Sequence, residues 1–489
     1  MVSRWKGKIE GVIETRGEKM AQDLSTFIAQ YEKKYPDEIV HIEKEIDSKW
    51  EVTALIEKLE KIRKYPIVIF HKVKAIDSQP SEFPLIMNMF ASRERCARMI
   101  GSNFEDYSID FARKSRQEKR KPMVVKREDA PVKEVIHLGD EINLFKFPAL
   151  VHHGMDPGHY ITGGYFTCYD PDTKVDNSAL HRGWIKEKDE IRIFLSAHTH
   201  ANLLLSKHES KNEDMKCAYW IGHHPAVCLG TMAKVSLPES HFEAAGGIYG
   251  EPLKLVASET LGDDFFVPAE AEIVIEGFIP HGERKTEGPF GEALGYFGPQ
   301  QLNPYIKVTS ITHRKKAYFH DLFVGHMDPL VGINSVYIEA QVYEAVKSAI
   351  PSVQRVYRPP FALPQIYIQI KKRKEGEAKD ALLAALSTSE YTKQAFVFDE
   401  DINIFDEREV LWAISTRTQW ENDVFFIKNS RASGLDPLSS DEDSTTKVGV
   451  DCTKPSPPTP FAKRLYIPQE AKDKIQLTEY ISEEKLKKI

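Results

Sequence analysis

Two glutamates, Glu287 and Glu292, stand five residues apart in Thr286-Glu287-Gly288-Pro289-Phe290-Gly291-Glu292, around a Gly-Pro step in an otherwise apolar neighbourhood. Carboxyl groups held in this way can take up and deliver protons. Proline fixes its own φ and the glycines allow close backbone approach, so the turn can hold both side chains against a ligand. A strand-connecting loop with two solvated glutamates has the same sequence, and the turn alone does not separate the two readings.

A second group is Asn177-Ser178-Ala179-Leu180-His181-Arg182, which puts an amide oxygen and a guanidinium into one short segment. The planar fork of an arginine donates two parallel hydrogen bonds, which suits a carboxylate or a phosphate, although a surface ion pair uses the same residue. Ala197-His198-Thr199-His200 follows a strand-like run, and residues two apart share a side if that strand continues. Glu251, after Gly250 at the end of a predicted helix, can add a carboxylate. An Asn, His and Glu donor set rich in oxygen suits a hard ion such as Mn²⁺ or Mg²⁺. His152-His153 and His223-His224 lack accompanying ligands and read as packing or hydrogen-bonding residues, and Lys447 reads as a solvated lysine in a polar tail.

These residues need a scaffold, and 489 residues are enough for two or three domains. Hydrophobic residues make up 41% and charged residues 28%, the balance of a folded enzyme. A net charge of -7, from 66 Lys and Arg against 73 Asp and Glu, gives no footprint for nucleic acid. The five scattered cysteines fit neither a disulfide framework nor a thiolate zinc site, so a reducing, cytoplasmic setting is expected. The first twenty residues have no apolar signal region, and no run reaches membrane-helix length.

The expected class is a multi-domain α/β (α+β) protein. Residues 1–125 alternate helix and strand, with helices over Asp23 to Lys33 and Thr53 to Lys64 and a strand at Pro66 to Phe70. Residues 126–330 are β-rich, from YITGGYFTCYD through AYWIGHHPAVCLG to YIKVTSITH, with one helix near Glu239 to Tyr249. Residues 331–435 return to helices alternating with strands, which predicts a doubly wound, mainly parallel sheet. Asp406 with Glu409 marks a helix start, and residues 436–489 read as an irregular tail with the acidic run Asp441-Glu442-Asp443.

Taken in order, Asn177-x-x-x-x-Arg182, His200, Gly250-Glu251, Glu287-Gly288-Pro289-Phe290-Gly291-Glu292, the DEDINIFDEREVLWAISTR segment and Lys447-x-Gly-x-Asp-x-Thr resemble the UbiD family of decarboxylases over nearly the whole chain. The resemblance implies a reversible, non-oxidative decarboxylase of aromatic, heteroaromatic or α,β-unsaturated acids that uses prenylated FMN as electron sink. It implies a central split β-barrel of flavin-reductase type and a C-terminal domain that mediates homo-oligomers, from dimers to hexamers. Glu292 is then the proton donor, holding its proton beside a negative neighbour, with Arg182 and a Glu287 kept ionised by it completing the network.

The same resemblance assigns Asn177, His200 and Glu251 to Mn²⁺ at the cofactor phosphate, with K⁺ nearby on backbone oxygens. Ser178, Ala179, Leu180, His181, Arg182 and Thr199 line the flavin, and Lys447 contacts it. A flavin prenyltransferase is the implied supplier of cofactor. Leu180, Ala293 and Val331 fall near pocket-shaping positions, and the Glu-x-x-x-x-Glu form favours acrylic or heteroaromatic acids over catechol-type acids. Two other readings remain at this point: an FMN-dependent oxidoreductase on the same barrel, and a non-catalytic subunit of a carboxylase complex.

Overall fold

The computed structural model describes residues 23–197, 199–325, 331–439 and 444–486. His198, the acidic run Asp441-Glu442-Asp443 and the side chain of Val331 lie outside the described residues.

The N-terminal region opens with α1 (Leu24–Lys34), capped by Asp23, whose Oδ1 accepts the Thr26 N–H at 2.7 Å. With α2 (Glu51–Lys61), α3 (Arg93–Met99) and α4 (Tyr107–Gln117) it surrounds a four-stranded sheet of β1 (Ile39–Ile42), β2 (Ile67–Phe70), β3 (Leu85–Met87) and β20 (Phe319–His320). Every residue of β2 is buried, as its unbroken apolar run requires. Because β20 comes from far along the chain, it fastens the N-terminal region to the central one.

The central region is one curled, nine-stranded sheet. Its path runs β6 (Tyr160–Ile161), β9 (Gly183–Glu187), β10 (Glu190–Ile193), β19 (Tyr305–His313), β14 (Ile273–Ile279), β11 (Met215–Ile221), β7 (Gly164–Tyr169) and β8 (Asp176–Leu180), with β5 (Val135–Leu138) paired to β19. A small sheet of β4 (Met123–Val124), β12 (Lys254–Ala257) and β13 (Phe266–Pro268) lies beside it. β8 ends one side of the path and β9 stands next to the other end, yet only His181 and Arg182 separate them in sequence. Two residues span roughly 7 Å, so the sheet has to curl until its ends nearly meet, as a split barrel does.

Two expectations for this region need correction. The HHPAVCLG run forms helix α6 (Pro225–Thr231) and not a strand: Pro225 starts it, and the His224 Nδ1 accepts the Ala226 N–H at 3.2 Å. All seven of its residues are buried, so no polar face betrays the helical period. The strand before His-x-His also stops at Ile193. Thr199 instead caps α5 (His200–Ser210), so His200 opens a helix.

The C-terminal region has helices α8 (Val331–Ala349), α9 (Glu377–Thr388) and α10 (Glu407–Arg417) on a sheet ordered β21 (Val353–Tyr357), β22 (Gln365–Ile370), β23 (Gln394–Asp399), β25 (Ser444–Cys452), β24 (Val424–Arg431). The inner pairs are parallel and both outer pairs antiparallel, so the sheet is mixed where a mainly parallel one was expected. α9 packs with Ile366, Ile368 and Val397, whereas Val410 and Ala413 of α10 pack with Phe398 and Val450 in a separate cluster. Asp406 caps α10, its Oδ1 accepting the Arg408 N–H at 3.0 Å. The predicted tail is not irregular at its start: β25 fills the slot between β23 and β24. Val448 and Val450 alternate with Lys447, Gly449 and Asp451 there, a pattern that hides an interior strand.

Candidate active site

The EGPFGE turn is buried. Glu287 ends β15 (Lys285–Glu287), which pairs with β18 (Gln301–Asn303), and the chain then turns through Gly288 at φ 81 into a hairpin of β16 (Phe290–Gly291) and β17 (Phe297–Gly298). A positive φ there is what a glycine tolerates at no steric cost. Glu287 is fully buried and Glu292 is 9% exposed, which removes the solvated-loop reading.

Arg182 joins the two carboxylates. Its Nε and Nη2 donate to Glu287 Oε1 and Oε2 at 2.9 and 2.7 Å, and its Nη1 contacts Glu292 Oε1. Tyr160 Oη donates to Glu287 Oε1 at 3.1 Å and Asn303 Nδ2 to Oε2 at 3.0 Å. Four donors therefore occupy Glu287, and the arginine lies between the Phe194 and Phe290 rings, 4.4 and 5.0 Å from their centroids. Arg182 is itself fixed at the barrel seam, where Tyr219 Oη donates to the carbonyls of His181 and Arg182 at 3.2 and 3.4 Å.

The hairpin has two faces. On one, Gly298 leaves room for the Glu292 carboxyl: a Cβ there would stand 3.2 Å from Glu292 Cγ and Oε1. On the other, the His153 ring occupies the space a Cβ on Gly291 would need, at 2.3 Å. Asp156 Oδ1 accepts the Gly291 N–H at 3.2 Å, and its Oδ2 accepts the N–H groups of His152 and His153 at 3.1 and 2.7 Å. His153, set aside by sequence, thus seats the hairpin that carries Glu292. Nothing local to His152-His153 signals this, because the contact spans well over a hundred residues of chain.

β8 is an edge strand. Its neighbours Asp176 and Ser178 face the protein: Asp176 Oδ2 accepts the Phe242 N–H at 3.0 Å, tying β8 to the start of α7 (His241–Tyr249), and the Ser178 hydroxyl pairs with Thr167 Oγ1 at 2.8 Å and accepts from Trp220 Nε1 at 3.3 Å. The Ser178 side chain is therefore spent inside the sheet, where a flavin-lining role was expected. Burial holds the Asp176 carboxyl up at about 6, against the hydrogen bonds it accepts. Ala179 and Leu180 are half-buried along the strand. His181 is neutral near pH 7, since burial pushes it down to about 4, and its Nδ1 lies 3.3 Å from the Phe194 carbonyl. Thr199 uses its hydroxyl to cap α5, accepting the Asn202 N–H at 3.3 Å.

His200 and Asp176, the neighbour of Asn177, come to the same end of α7. The His200 and His241 rings are 6.4 Å apart, edge to face, and burial, with Lys234 nearby, lowers the pKa of His200. Glu251 does not join them. It follows Gly250, which closes the far end of α7 at φ 93, and its charge acts on Tyr249 together with Glu270 and Asp23. The nine residues of α7 put roughly 13 Å of helix between that end and the first turn. The carboxylate on the first turn is Glu243, and the signal for it was Ser240-x-x-Glu243, a capping-box spacing in which Ser240 Oγ accepts the Glu243 N–H at 3.0 Å. Among the described residues no group of three or more His, Cys, Asp or Glu side chains gathers around one point.

In the C-terminal region Lys447 is not solvated: it is 3% exposed, and its Nζ donates to the carbonyls of Leu386 and Ser389, both at 2.8 Å. Burial pushes it down to about 8. It lines a cavity of about 680 Å³ together with Arg431, Ile427 and Ala384. Lys447, Arg431 and Lys234 share one carboxylate neighbour, Glu390, which lies 3.4 Å from Arg431. An unpaired sheet edge, a helix N-terminus and an excess of cations together fit a planar ligand carrying a phosphate.

Comparisons with known proteins point to one family. Residues 32–113, 123–327 and 333–452 match in order the N-terminal, Rift-related and C-terminal domains of 3-octaprenyl-4-hydroxybenzoate carboxy-lyase. The anhydromevalonate phosphate decarboxylase of Methanosarcina mazei is 32% identical over 406 residues, 82% of this chain and 91% of that protein. The phenolic acid decarboxylase of Sedimentibacter hydroxybenzoicus is 29% identical over 460 residues, 90% of this chain and 93% of that one. Among solved structures, the UbiD-class enzyme HmfF from Pelotomaculum thermopropionicum in complex with FMN aligns at a TM-score of 0.84 and 33% identity over 94% of this chain and 99% of its own. An evolved dimeric form of HmfF, in complex with prFMN, aligns at 0.83 and 32% over 94% of this chain and 100% of its own.

Fold and sequence together define a carboxy-lyase. The chain belongs to the UbiD family. Among the described residues no helix is long and apolar enough to cross a membrane.

Proposed function

We propose that the protein catalyses reversible, non-oxidative decarboxylation of an aromatic, heteroaromatic or α,β-unsaturated acid with prenylated FMN, and that Glu292 supplies the proton that replaces CO₂. The observation that carries this reading is the buried Glu287-Arg182-Glu292 network. Glu287 is encumbered by four donors and serves to orient the guanidinium, whereas Glu292 reaches Arg182 through Oε1 from the end of a hairpin, beside the apolar Phe290. Bound prenylated FMN supplies the electron sink that makes loss of CO₂ feasible. Arg182 positions the acid and compensates negative charge next to it, and the surrounding rings exclude water.

The flavin is assigned to the free edge of β8, against Asn177, Ala179, Leu180 and Arg182, with its phosphate toward His200 and the cations of the C-terminal region. Mn²⁺ is assigned to Asn177 and His200, with K⁺ beside it on backbone oxygens and Glu251 taking no part. His200→Ala is expected to lower bound manganese at least tenfold by elemental analysis of the purified protein, and Glu251→Ala to leave it unchanged; the reverse pattern would refute the ligand assignment. We also assign cofactor supply to a flavin prenyltransferase and a homo-oligomeric state, from dimer to hexamer, to the assembled enzyme.

The direct test of the cofactor is the mass of the flavin released from an active preparation. Prenylated FMN is the expected result. Unmodified FMN in an enzyme that releases CO₂ would defeat the reading and favour an FMN-dependent reaction on the same barrel.

A further inference from the structure

Two histidines on the central sheet have no task in the chemistry above. β5 pairs antiparallel with β19, with His137 opposite Ile311 and Val135 opposite His313, so the two imidazoles stand diagonally on one face of the ladder. Their Nε2 atoms are 3.2 Å apart while the ring centroids are 5.3 Å apart, so the rings converge at those two nitrogens. Along the sheet path β14, β11 and β7 stand between β19 and β8, which separates this pair from the edge assigned to the flavin.

The backbone dictates one tautomer. His313 Nδ1 lies 2.7 Å from the Arg314 carbonyl, which can only accept, so Nδ1 carries the proton and Nε2 of the neutral ring turns its lone pair toward His137. A backbone carbonyl on the far nitrogen is how a metal-ligating imidazole is oriented. The ring is 4% exposed and Phe83 packs against it edge to face at 5.1 Å, so it is held in that direction. Burial lowers the pKa of His313, which keeps it neutral as a ligand must be, while the carboxylates of Glu82 and Glu134 favour positive charge beside it. Glu134 is itself fixed, its Oε2 accepting the Lys315 N–H at 2.8 Å. Two nitrogens bound to one tetrahedral ion, each about 2.0–2.1 Å from it, stand roughly 3.3–3.4 Å apart. The observed separation fits that geometry and lies at the long end of the hydrogen-bond range.

We propose that the Nε2 atoms of His137 and His313 form a site for an imidazole-preferring divalent cation such as Zn²⁺, which clips β5 to β19. No third His, Cys, Asp or Glu side chain gathers there among the described residues, so water completes the coordination shell. An oxygen-preferring ion such as Mn²⁺ is not the occupant. The site rests on the pairing of β5 with β19 and is independent of the flavin reading.

The test titrates Zn²⁺ calorimetrically into the full-length protein, wild type and His137→Gln. The amide of the variant still donates a hydrogen bond to His313 Nε2 but offers no imidazole to a metal. His137→Gln is expected to bind one equivalent of Zn²⁺ fewer than the wild type, and to lose the rise in unfolding temperature that Zn²⁺ gives the wild type. Equal stoichiometry in the two proteins would overturn the site, and so would Mn²⁺ binding there as tightly as Zn²⁺. Anomalous diffraction at the zinc edge from Zn²⁺-soaked wild-type crystals tests the position without any substitution. A peak about 2.0–2.1 Å from both Nε2 atoms is the expected result. Zinc found only elsewhere would contradict the assignment, and uptake at this pair that needs millimolar Zn²⁺ would mark an adventitious ion only and overturn it as well.

Discussion

Glu292→Gln lowers the rate of CO₂ release by about 10²- to 10⁴-fold, the usual contribution of a positioned general acid, while flavin content and thermal stability stay near those of the wild type. The amide is the same size as the carboxyl it replaces and fits the space left by Gly298, so the hairpin has no reason to move. The amide has no acidic proton to deliver. Glu287→Gln behaves differently, because Tyr160, Asn303 and both Arg182 donors converge on that carboxylate. An amide nitrogen in place of one oxygen meets donors head-on, and stability falls together with rate. Stability measured beside turnover therefore distinguishes the two glutamates. Equal rates for wild type and Glu292→Gln would remove Glu292 from the chemistry.

Arg182→Ala is the second large effect. It leaves the buried Glu287 without its charged partner, and breaking such a pair from one side costs about 3–5 kcal/mol. Turnover is expected to disappear, and the denaturation midpoint to fall. Arg182→Lys keeps the charge but offers a point donor in place of a fork, so it cannot serve both oxygens of Glu287 and one of Glu292 together. It is expected to recover much of the stability and little of the rate. A lysine variant with full activity would mean that the charge alone, and not the bidentate geometry, positions the acid.

Much of the site was legible because its parts are local in sequence. The Gly-Pro step between two glutamates marks a constrained turn, and Asn177 to Arg182 marks a strand ending at a guanidinium. The meeting of Arg182 with that turn was not legible from spacing, since it depends on a sheet whose ends are joined by two residues. Capping signals were reliable: Asp23 and Asp406 each open a helix as their side chains dictate. Buried elements misled, because α6 has no solvent face to give a period and β25 carries Lys447 and Gly449 in a sheet interior.

Glu251 failed for a related reason. Helix length was readable, but which end of α7 meets β8 is set by Asp176 accepting the Phe242 N–H, a contact more than sixty residues apart in sequence. His153 was invisible for the same cause. Its role comes from the absence of a side chain at Gly291, which the sequence shows, and from the ring that fills the gap, which it does not.

The most direct test of the central claim is deuterium delivery in D₂O, followed by mass spectrometry of the product, for wild type and Glu292→Gln loaded with prenylated FMN. A panel of aromatic and acrylic acids serves as substrate. The account predicts one deuterium at the carbon that lost CO₂ with the wild type, and almost no labelled product from the variant despite retained cofactor. Labelled product forming at the same rate from Glu292→Gln would contradict it.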